Sequence, residues 1–198
     1  NTTFVPGSIT NDGPFVGTFD SGQNAVIWNI VGATFRDAFS SNAYNNNDGS
    51  SNFASNWIET NDDGAATTGD FIVDGGVLSM TSRTTPVGAA MQREADLLAA
   101  TGSVAYLSFD FSTTTEIDPD DSIVVEISSD GGTNYTVLEN FTNLGGGDVG
   151  SREYDITAQI AANTRVQFRI NDNYGGSNEF FRVDNLEFRV LDELVADG

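Results

Sequence analysis

The segment 180–190, which reads Phe-Phe-Arg-Val-Asp-Asn-Leu-Glu-Phe-Arg-Val, constrains the fold most, because it is strongly strand-like and its apolar pattern changes phase midway. The apolar residues just before Asp184 occupy odd positions, whereas those from Leu186 onward occupy even positions. Because strand side chains alternate between two faces, a regular strand cannot bury both sets on one side. We therefore expect one extra residue at Asp184 and Asn185, in a β-bulge of the kind found beside functional sites. The alternative is a turn between two short strands.

The charge balance limits the possible partners. The chain of 198 residues has 8 basic and 29 acidic residues, which gives a net charge of -21, and every basic residue is arginine. Such a surface repels nucleic acids and anionic membranes but suits divalent cations, so we expect no nucleic-acid partner and no membrane insertion. The acidity is not a sign of disorder, because 38% of the residues are hydrophobic and 11% are aromatic.

Three missing residue types remove whole classes of mechanism. Without cysteine, histidine or lysine there is no thiolate zinc site, no Ser-His-Asp triad and no Schiff base. A glycosidase would need two facing acids, which strand residues Asp110, Glu126, Glu153 and Asp155 could supply. Charged outward faces of strands explain these four acids more simply. We therefore predict a protein that is not an enzyme.

The remaining pattern is one of short strands separated by Gly, Asn and Asp turns. Asp74-Gly75-Gly76 and Asp130-Gly131-Gly132 indicate hairpins, and residues 105–111 alternate cleanly between apolar and polar. Further strands are expected at 154–160 and 165–170. The segment 86–101 holds the only plausible helix, although part of it also fits a strand. Ten to twelve strands predict an all-β fold, a two-sheet antiparallel β-sandwich of jelly-roll type.

Several loops carry candidate ligands. The Asn-rich loop 42–56 contains Asp48 before a glycine, which provides oxygen ligands and a turn as calcium loops do, although a solvated loop explains it equally well. The acidic loop 116–121 is explained by solvation or by a surface cation site. For a glycan or peptide, the candidate binding residues are Tyr44, Asn173 and Tyr174.

Three stretches resemble a known group of proteins: 123–132 (Ile-Val-Val-Glu-Ile-Ser-Ser-Asp-Gly-Gly), 155–157 (Asp-Ile-Thr) and 181–186 (Phe-Arg-Val-Asp-Asn-Leu). They are similar to the jelly-roll modules of large bacterial secreted and surface proteins, including calcium-dependent adhesins, and to carbohydrate-binding modules of that fold. The resemblance, over about 35–190, implies that the last strand pairs beside the first and that a structural calcium lies near their junction.

The resemblance implies Asp37 and Asp184 as calcium ligands, and with Asp48 and Asn185 they form the predicted metal set. The chain departs from sugar-binding modules in having no obvious exposed aromatic platform. Its two tryptophans, Trp28 and Trp57, lie in apolar surroundings and are expected in the core.

The N-terminal stretches 5–10, 17–20 and 26–30 resemble closing strands of immunoglobulin-like repeats in bacterial surface proteins. We therefore divide the chain into an N-terminal strand segment (1–32), a sandwich (33–191) and a polar tail (192–198). The apolar run 25–31 must be buried somewhere. It either adds an edge strand to its own sandwich or pairs with an edge of a neighbouring copy, which would build a fibre.

These observations predict a non-catalytic, extracellular or cell-surface structural or adhesive protein that is stabilised by calcium. It would be a building block of an adhesin or of a self-assembling fibre, and its partners would be copies of itself or neighbouring modules. The alternative is a calcium-dependent module that binds carbohydrate or peptide.

Overall fold

A computed structural model describes residues 28–81, 88–100, 102, 104–142, 144–172 and 178–194, without the side chains of 28–31, 172 and 192–194. Eleven strands form within these ranges: β1 Trp28–Asp37, β2 Ile58–Thr60, β3 Phe71–Asp74, β4 Val77–Met80, β5 Ala90–Ala95, β6 Val104–Thr113, β7 Ser122–Ser128, β8 Thr136–Phe141, β9 Val149–Asp155, β10 Thr164–Asp172 and β11 Phe181–Leu194. A short 3-10 turn, Thr157–Gln159, follows β9. None of the described residues forms a helix that is long and apolar enough to cross a membrane.

The strands form two antiparallel sheets. One has the order β3-β4-β11-β6-β9, with β1 also paired to β11, and the other has the order β2-β5-β10-β7-β8. The predicted β-sandwich is confirmed, and so is the pairing of the first described strand with the last. The two sheets meet through aromatic residues, since the Phe109 ring of β6 lies 5.2 Å from the Phe168 ring of β10 in an edge-on arrangement.

The predicted bulge in β11 is confirmed. The pairing of β11 with β6 shifts register between Asp184 and Glu187, and Asn185 has a φ of 51°. The apolar residues on both sides of the bulge are fully buried: Phe181, Val183, Leu186, Phe188 and Val190. The other edge of β11 pairs with β4 up to Val183 and with β1 from Leu186 onward. The bulge therefore lies where β11 exchanges one neighbour for another.

The structure decides between two predicted alternatives in one segment and corrects the end of one predicted strand. The segment that could have been a helix is strand β5, because it alternates buried Met91, Arg93 and Ala95 with partly exposed Gln92 and Glu94. The strand predicted at 154–160 ends at Asp155, after which the chain turns through the 3-10 segment.

The predicted domain boundaries fall inside paired strands. Trp28 pairs with Leu194 and Val31 pairs with Leu191, so residues 28–32 and 192–194 belong to the six-stranded sheet of the same sandwich. Residues 28–31 of the apolar run 25–31 thus pair within their own sandwich, which is one of the two predicted alternatives. Residues 1–27 and the last four residues of the predicted tail lie outside the described residues.

Candidate functional site

An open pocket of about 260 Å³ lies on the outer face of the six-stranded sheet, across β1, β11, β6 and β9. We call it the outer-face pocket. Its lining residues are Phe109, which is almost fully buried, and seven polar ones: Arg36, Ser108, Asp110, Ser151, Arg152, Asn185 and Glu187. Strand alternation explains this lining, because the neighbours Phe35, Leu107 and Phe109 point into the core and leave the polar side chains outside.

A chain of hydrogen bonds crosses the four strands of the pocket. Arg36 Nη2 donates to Asn185 Oδ1 at 2.5 Å, and Asn185 Nδ2 donates to Asp110 Oδ2 at 3.0 Å. Ser151 Oγ donates to Asp110 Oδ1 at 2.5 Å. The Asn185 amide therefore joins a cation on β1 to a carboxylate on β6, and these partners fix which end of the amide faces each of them.

The bulge aims the Asn185 side chain into this position. A φ of 51° is left-handed backbone, which asparagine tolerates better than most residues. The backbone N–H of Asn185 donates to Asp184 Oδ1 at 2.6 Å, so the carboxylate of the preceding residue helps to hold the bulge. Uncommon backbone conformations persist where the surroundings enforce them, and they gather at binding and catalytic sites.

The charges of the pocket are only partly balanced. Arg36 lies among Asp110, Glu187 and the adjacent Asp184, whereas the guanidinium of Arg152 pairs with Glu139 of β8 at 2.8 Å. Beside the pocket, burial and the neighbouring Asp110 carboxylate raise the pKa of Asp184, whereas Arg36 acts in the opposite direction. The pocket therefore offers hydrogen-bond donors and acceptors together with an excess of negative charge.

The four predicted metal ligands are not brought together. Asp37 is fully buried, and its Oδ2 accepts a hydrogen bond from Trp57 Nε1 at 2.8 Å and pairs with Arg93. Asp48 accepts hydrogen bonds from the Ala38 amide and the Ser40 hydroxyl, both at 2.9 Å.

Asp184 and Asn185 lie next to the Arg36 guanidinium, which opposes cation binding. These residues therefore do not fit one calcium site.

Asp37 instead belongs to a buried polar cluster that sequence reasoning missed. Arg93 is 0% exposed, pairs with Asp37, and donates from Nε to the Ser55 carbonyl at 3.2 Å. Its guanidinium carbon lies 3.8 Å from the centre of the Phe53 ring, which is a cation–π contact. Burial lowers the pKa of Arg93 to about 10, which leaves it charged at neutral pH. This cluster ties the loop after β1 to the core.

The other predicted ligand-binding residues have different outcomes. Tyr44 is partly buried, and its hydroxyl donates to the Phe71 carbonyl at 2.9 Å and contacts the Glu59 carboxylate, so it has a structural role. Asn173 and Tyr174 lie outside the described residues. Trp57 is 3% exposed, as predicted, whereas the side chain of Trp28 is not described.

Among the described residues, one group of three carboxylates has ligand oxygens within 4.8 Å of one another: Glu59, Asp62 and Asp63. Local donors already occupy these oxygens. Asp62 Oδ2 accepts from the Phe71 amide at 2.9 Å, and Asp63 Oδ2 accepts from the Thr68 hydroxyl at 2.7 Å. Burial and the two neighbouring acids raise the pKa of Glu59. The group caps the loop between β2 and β3.

Comparison with solved structures finds carbohydrate-binding modules and an adhesin domain. The CBM22-1-GH10 modules of Clostridium thermocellum N-terminal endo-1,4-beta-D-xylanase 10B, solved with xylohexaose, match with a TM-score of 0.51 and 12% identity over 85% of this chain and 30% of that chain. A mutant of the family 29 module CBM29-2 with cellulohexaose has a TM-score of 0.48 and 10% identity over 79% of this chain and 92% of that chain.

The K2 cleaved adhesin domain of Lys-gingipain has a TM-score of 0.45 and 18% identity, over 78% of this chain and 97% of that chain. Neither protein-family models nor curated proteins match the sequence. At these identities the comparison with the xylanase modules establishes a shared β-sandwich fold and nothing finer.

Proposed function

We propose that the protein is a non-catalytic adhesive module of the cell surface or extracellular space, and that it binds a glycan in the outer-face pocket. The observation that carries the proposal is the Asn185-centred chain of hydrogen bonds from Arg36 to Asp110 inside an open pocket. A left-handed residue at a bulge, placed between a guanidinium and a carboxylate, supports a binding role more than a role in stability.

Glycans are the ligand class that fits this lining. Each sugar hydroxyl both donates and accepts hydrogen bonds, and the pocket presents acceptors at Asp110 and Glu187 and donors at Arg36, Asn185 and the two serine hydroxyls. A volume of about 260 Å³ is smaller than the roughly 300–1,000 Å³ typical of drug-sized ligands. We therefore expect one sugar ring of a longer glycan to occupy the pocket, with the rest lying over the sheet.

Neutral glycans are favoured over acidic ones. A net charge of -21 repels anionic polymers at long range, and the two pocket carboxylates repel a uronic acid at contact. Calcium stabilisation stays a separate prediction, because the Arg36 guanidinium in the pocket opposes the binding of a cation there.

The absence of catalysis is proposed from the surroundings of the acids. Glu126 pairs with Arg169 at 2.8 Å and Glu153 pairs with Arg189 at 2.9 Å. Asp110 accepts hydrogen bonds from Ser151 and Asn185. Burial acts to raise the pKa of Glu126, but hydrogen bonds from Arg169 and Gln167 outweigh it and lower that pKa, whereas a glycosidase needs one protonated acid. Self-association through the predicted N-terminal segment 1–32 also stays a prediction.

Replacing Asp110 with alanine tests the proposal. Hydrogen bonds to a charged group contribute about 1.5–3 kcal/mol, so we expect glycan affinity to fall about tenfold to a hundredfold. Affinity electrophoresis against neutral and acidic polysaccharides would first identify a ligand, and calorimetric titration would then compare the wild type with the variant.

The matched control is Asp74→Asn, which changes an exposed acid of the same sheet at the β3–β4 hairpin, far along the strand order from β6. It should bind like the wild type. Equal affinity of wild type and Asp110→Ala, or binding of acidic polysaccharides alone, would contradict the proposal.

A further inference from the structure

Glu187 of β11 lines the outer-face pocket with a carboxylate that has no partner of its own. The residue is partly buried, and within the part of the chain that the structure describes its side chain takes part in no hydrogen bond or ion pair. Asp110, the other carboxylate that lines the pocket, already accepts hydrogen bonds from Asn185 and Ser151. Glu187 therefore keeps all of its acceptor capacity for a ligand.

The bulge explains why Glu187 is left unpaired. Arg36 of β1 lies directly opposite Glu187 in the pairing with β11, and opposite charges at such positions attract each other. The Arg36 guanidinium instead donates to Asn185 Oδ1 at 2.5 Å and forms no ion pair with Glu187. The side-chain amide that the bulge inserts thus holds the arginine and leaves the carboxylate open.

A second open group lies on the other side of Glu187. Ser108 of β6 is directly opposite Glu187 in the pairing of β11 with β6, and it also lines the pocket. The Ser108 hydroxyl has no hydrogen-bond partner among the described residues. Side chains at directly opposite positions have Cβ atoms about 4.5–5.5 Å apart. A carboxylate and a hydroxyl at this spacing can contact the same sugar ring.

This arrangement suits two adjacent hydroxyl groups on one ring. A carboxylate accepts hydrogen bonds at two oxygens, so neighbouring hydroxyls can donate to both at once, as the two N–H groups of an arginine do. A ring that lacks one of the two hydroxyls leaves one carboxylate oxygen without a donor while the ligand excludes water from it. An oxygen left in that state weakens binding.

We propose that Glu187 is the specificity-determining residue of the outer-face pocket and that it selects sugar rings with two adjacent free hydroxyls. The inference rests on the proposed glycan binding and names the part of the glycan that the pocket recognises. Asn185 and Ser151 already use part of the acceptor capacity of Asp110, whereas the carboxylate of Glu187 and the hydroxyl of Ser108 are fully available.

The test is calorimetric titration of the full chain with three neutral linear probes: cellohexaose, xylohexaose and mannohexaose. Each has two adjacent free hydroxyls on its internal rings, and each is compared with an analogue in which one hydroxyl of every such pair is replaced by hydrogen. We expect the wild type to bind at least one probe and to bind its analogue about tenfold more weakly.

Replacing Glu187 with alanine should remove this discrimination. The variant should bind the probe about tenfold more weakly than the wild type, and should bind probe and analogue about equally, because the missing hydroxyl no longer has its acceptor. Its melting temperature should stay close to that of the wild type, since Glu187 has no partner in the described fold.

The matched control is Glu94→Ala, which removes the same charge from the outward face of the opposite sheet, where Glu94 of β5 pairs with Arg165. It should bind probe and analogue as the wild type does. Wild-type affinity of Glu187→Ala, a Glu187→Ala variant that still discriminates, or an equal loss in Glu94→Ala would each overturn the inference.

The outcomes also separate this inference from the proposed function. If Asp110→Ala weakened binding and Glu187→Ala did not, glycan binding in the pocket would stand and the role of Glu187 would be wrong. Binding of none of the three probes would overturn the inference, whereas the proposed function is decided by affinity electrophoresis against the wider set of polysaccharides.

Discussion

Replacing Arg93 with methionine is expected to lower the free energy of unfolding by about 3–5 kcal/mol, because the buried Asp37 carboxylate would lose its cation. Both side chains are 0% exposed, so water cannot take over the role of the guanidinium. The loss is large beside the total stability of about 5–15 kcal/mol that is usual for a domain. Urea unfolding monitored by tryptophan fluorescence would measure it.

The matched control is Arg165→Met on the neighbouring strand β10. Arg165 pairs with Glu94, and these side chains are 19% and 20% exposed. This more solvated pair should contribute about 1 kcal/mol or less. If Arg93→Met cost no more than Arg165→Met, the buried cluster would not hold the loop after β1.

Deleting Asn185 is expected to leave the sandwich folded but to reduce glycan affinity at least about 100-fold. Without this residue Leu186 follows Asp184 directly, so the apolar residues of β11 share one regular alternation and stay on the core side. The bulge contributes the side-chain amide that joins Arg36 to Asp110. Removing the bulge should therefore weaken glycan binding without lowering the stability of the fold. Circular dichroism and calorimetric titration would measure the two effects.

Deleting Leu186 instead is the control for chain length and for the phase of the apolar alternation along β11. It also regularises β11, but it places Asn185 at a buried core position, where an unsatisfied amide and a lost leucine cost about 2–5 kcal/mol. If deleting Asn185 unfolded the chain and deleting Leu186 did not, the extra residue of the bulge would be Leu186 and not Asn185.

The bulge could be predicted from sequence because its signal is local. The change of phase within ten residues of β11 requires one inserted residue, whatever the rest of the chain does. The same alternation placed Ala105, Leu107 and Phe109 in the core, and glycine turns placed the hairpins.

The rest of the site depends on strands that are distant in sequence. Arg36 and Asn185 are 149 residues apart, and only the pairing of β1 with β11 brings them together. Arg93 was missed because it lies in a segment whose sequence fits a helix or a strand, and its partner Asp37 is 56 residues away. Because the sequence alone does not place Arg93 beside Asp37, Asp37 looks like a free metal ligand. In the structure, Arg93 neutralises its carboxylate.

The central claim is that the outer-face pocket binds a neutral glycan. The most direct test is to map the backbone amide chemical shifts of the isotope-labelled full chain during titration with a neutral oligosaccharide that affinity electrophoresis has identified as a ligand. We predict saturable shifts at Arg36, Asp110, Ser151 and Asn185, the residues that the hydrogen-bond chain joins across four strands. Saturable shifts confined to another surface, such as the Asn-rich loop after β1, with these four amides unmoved, would contradict the account.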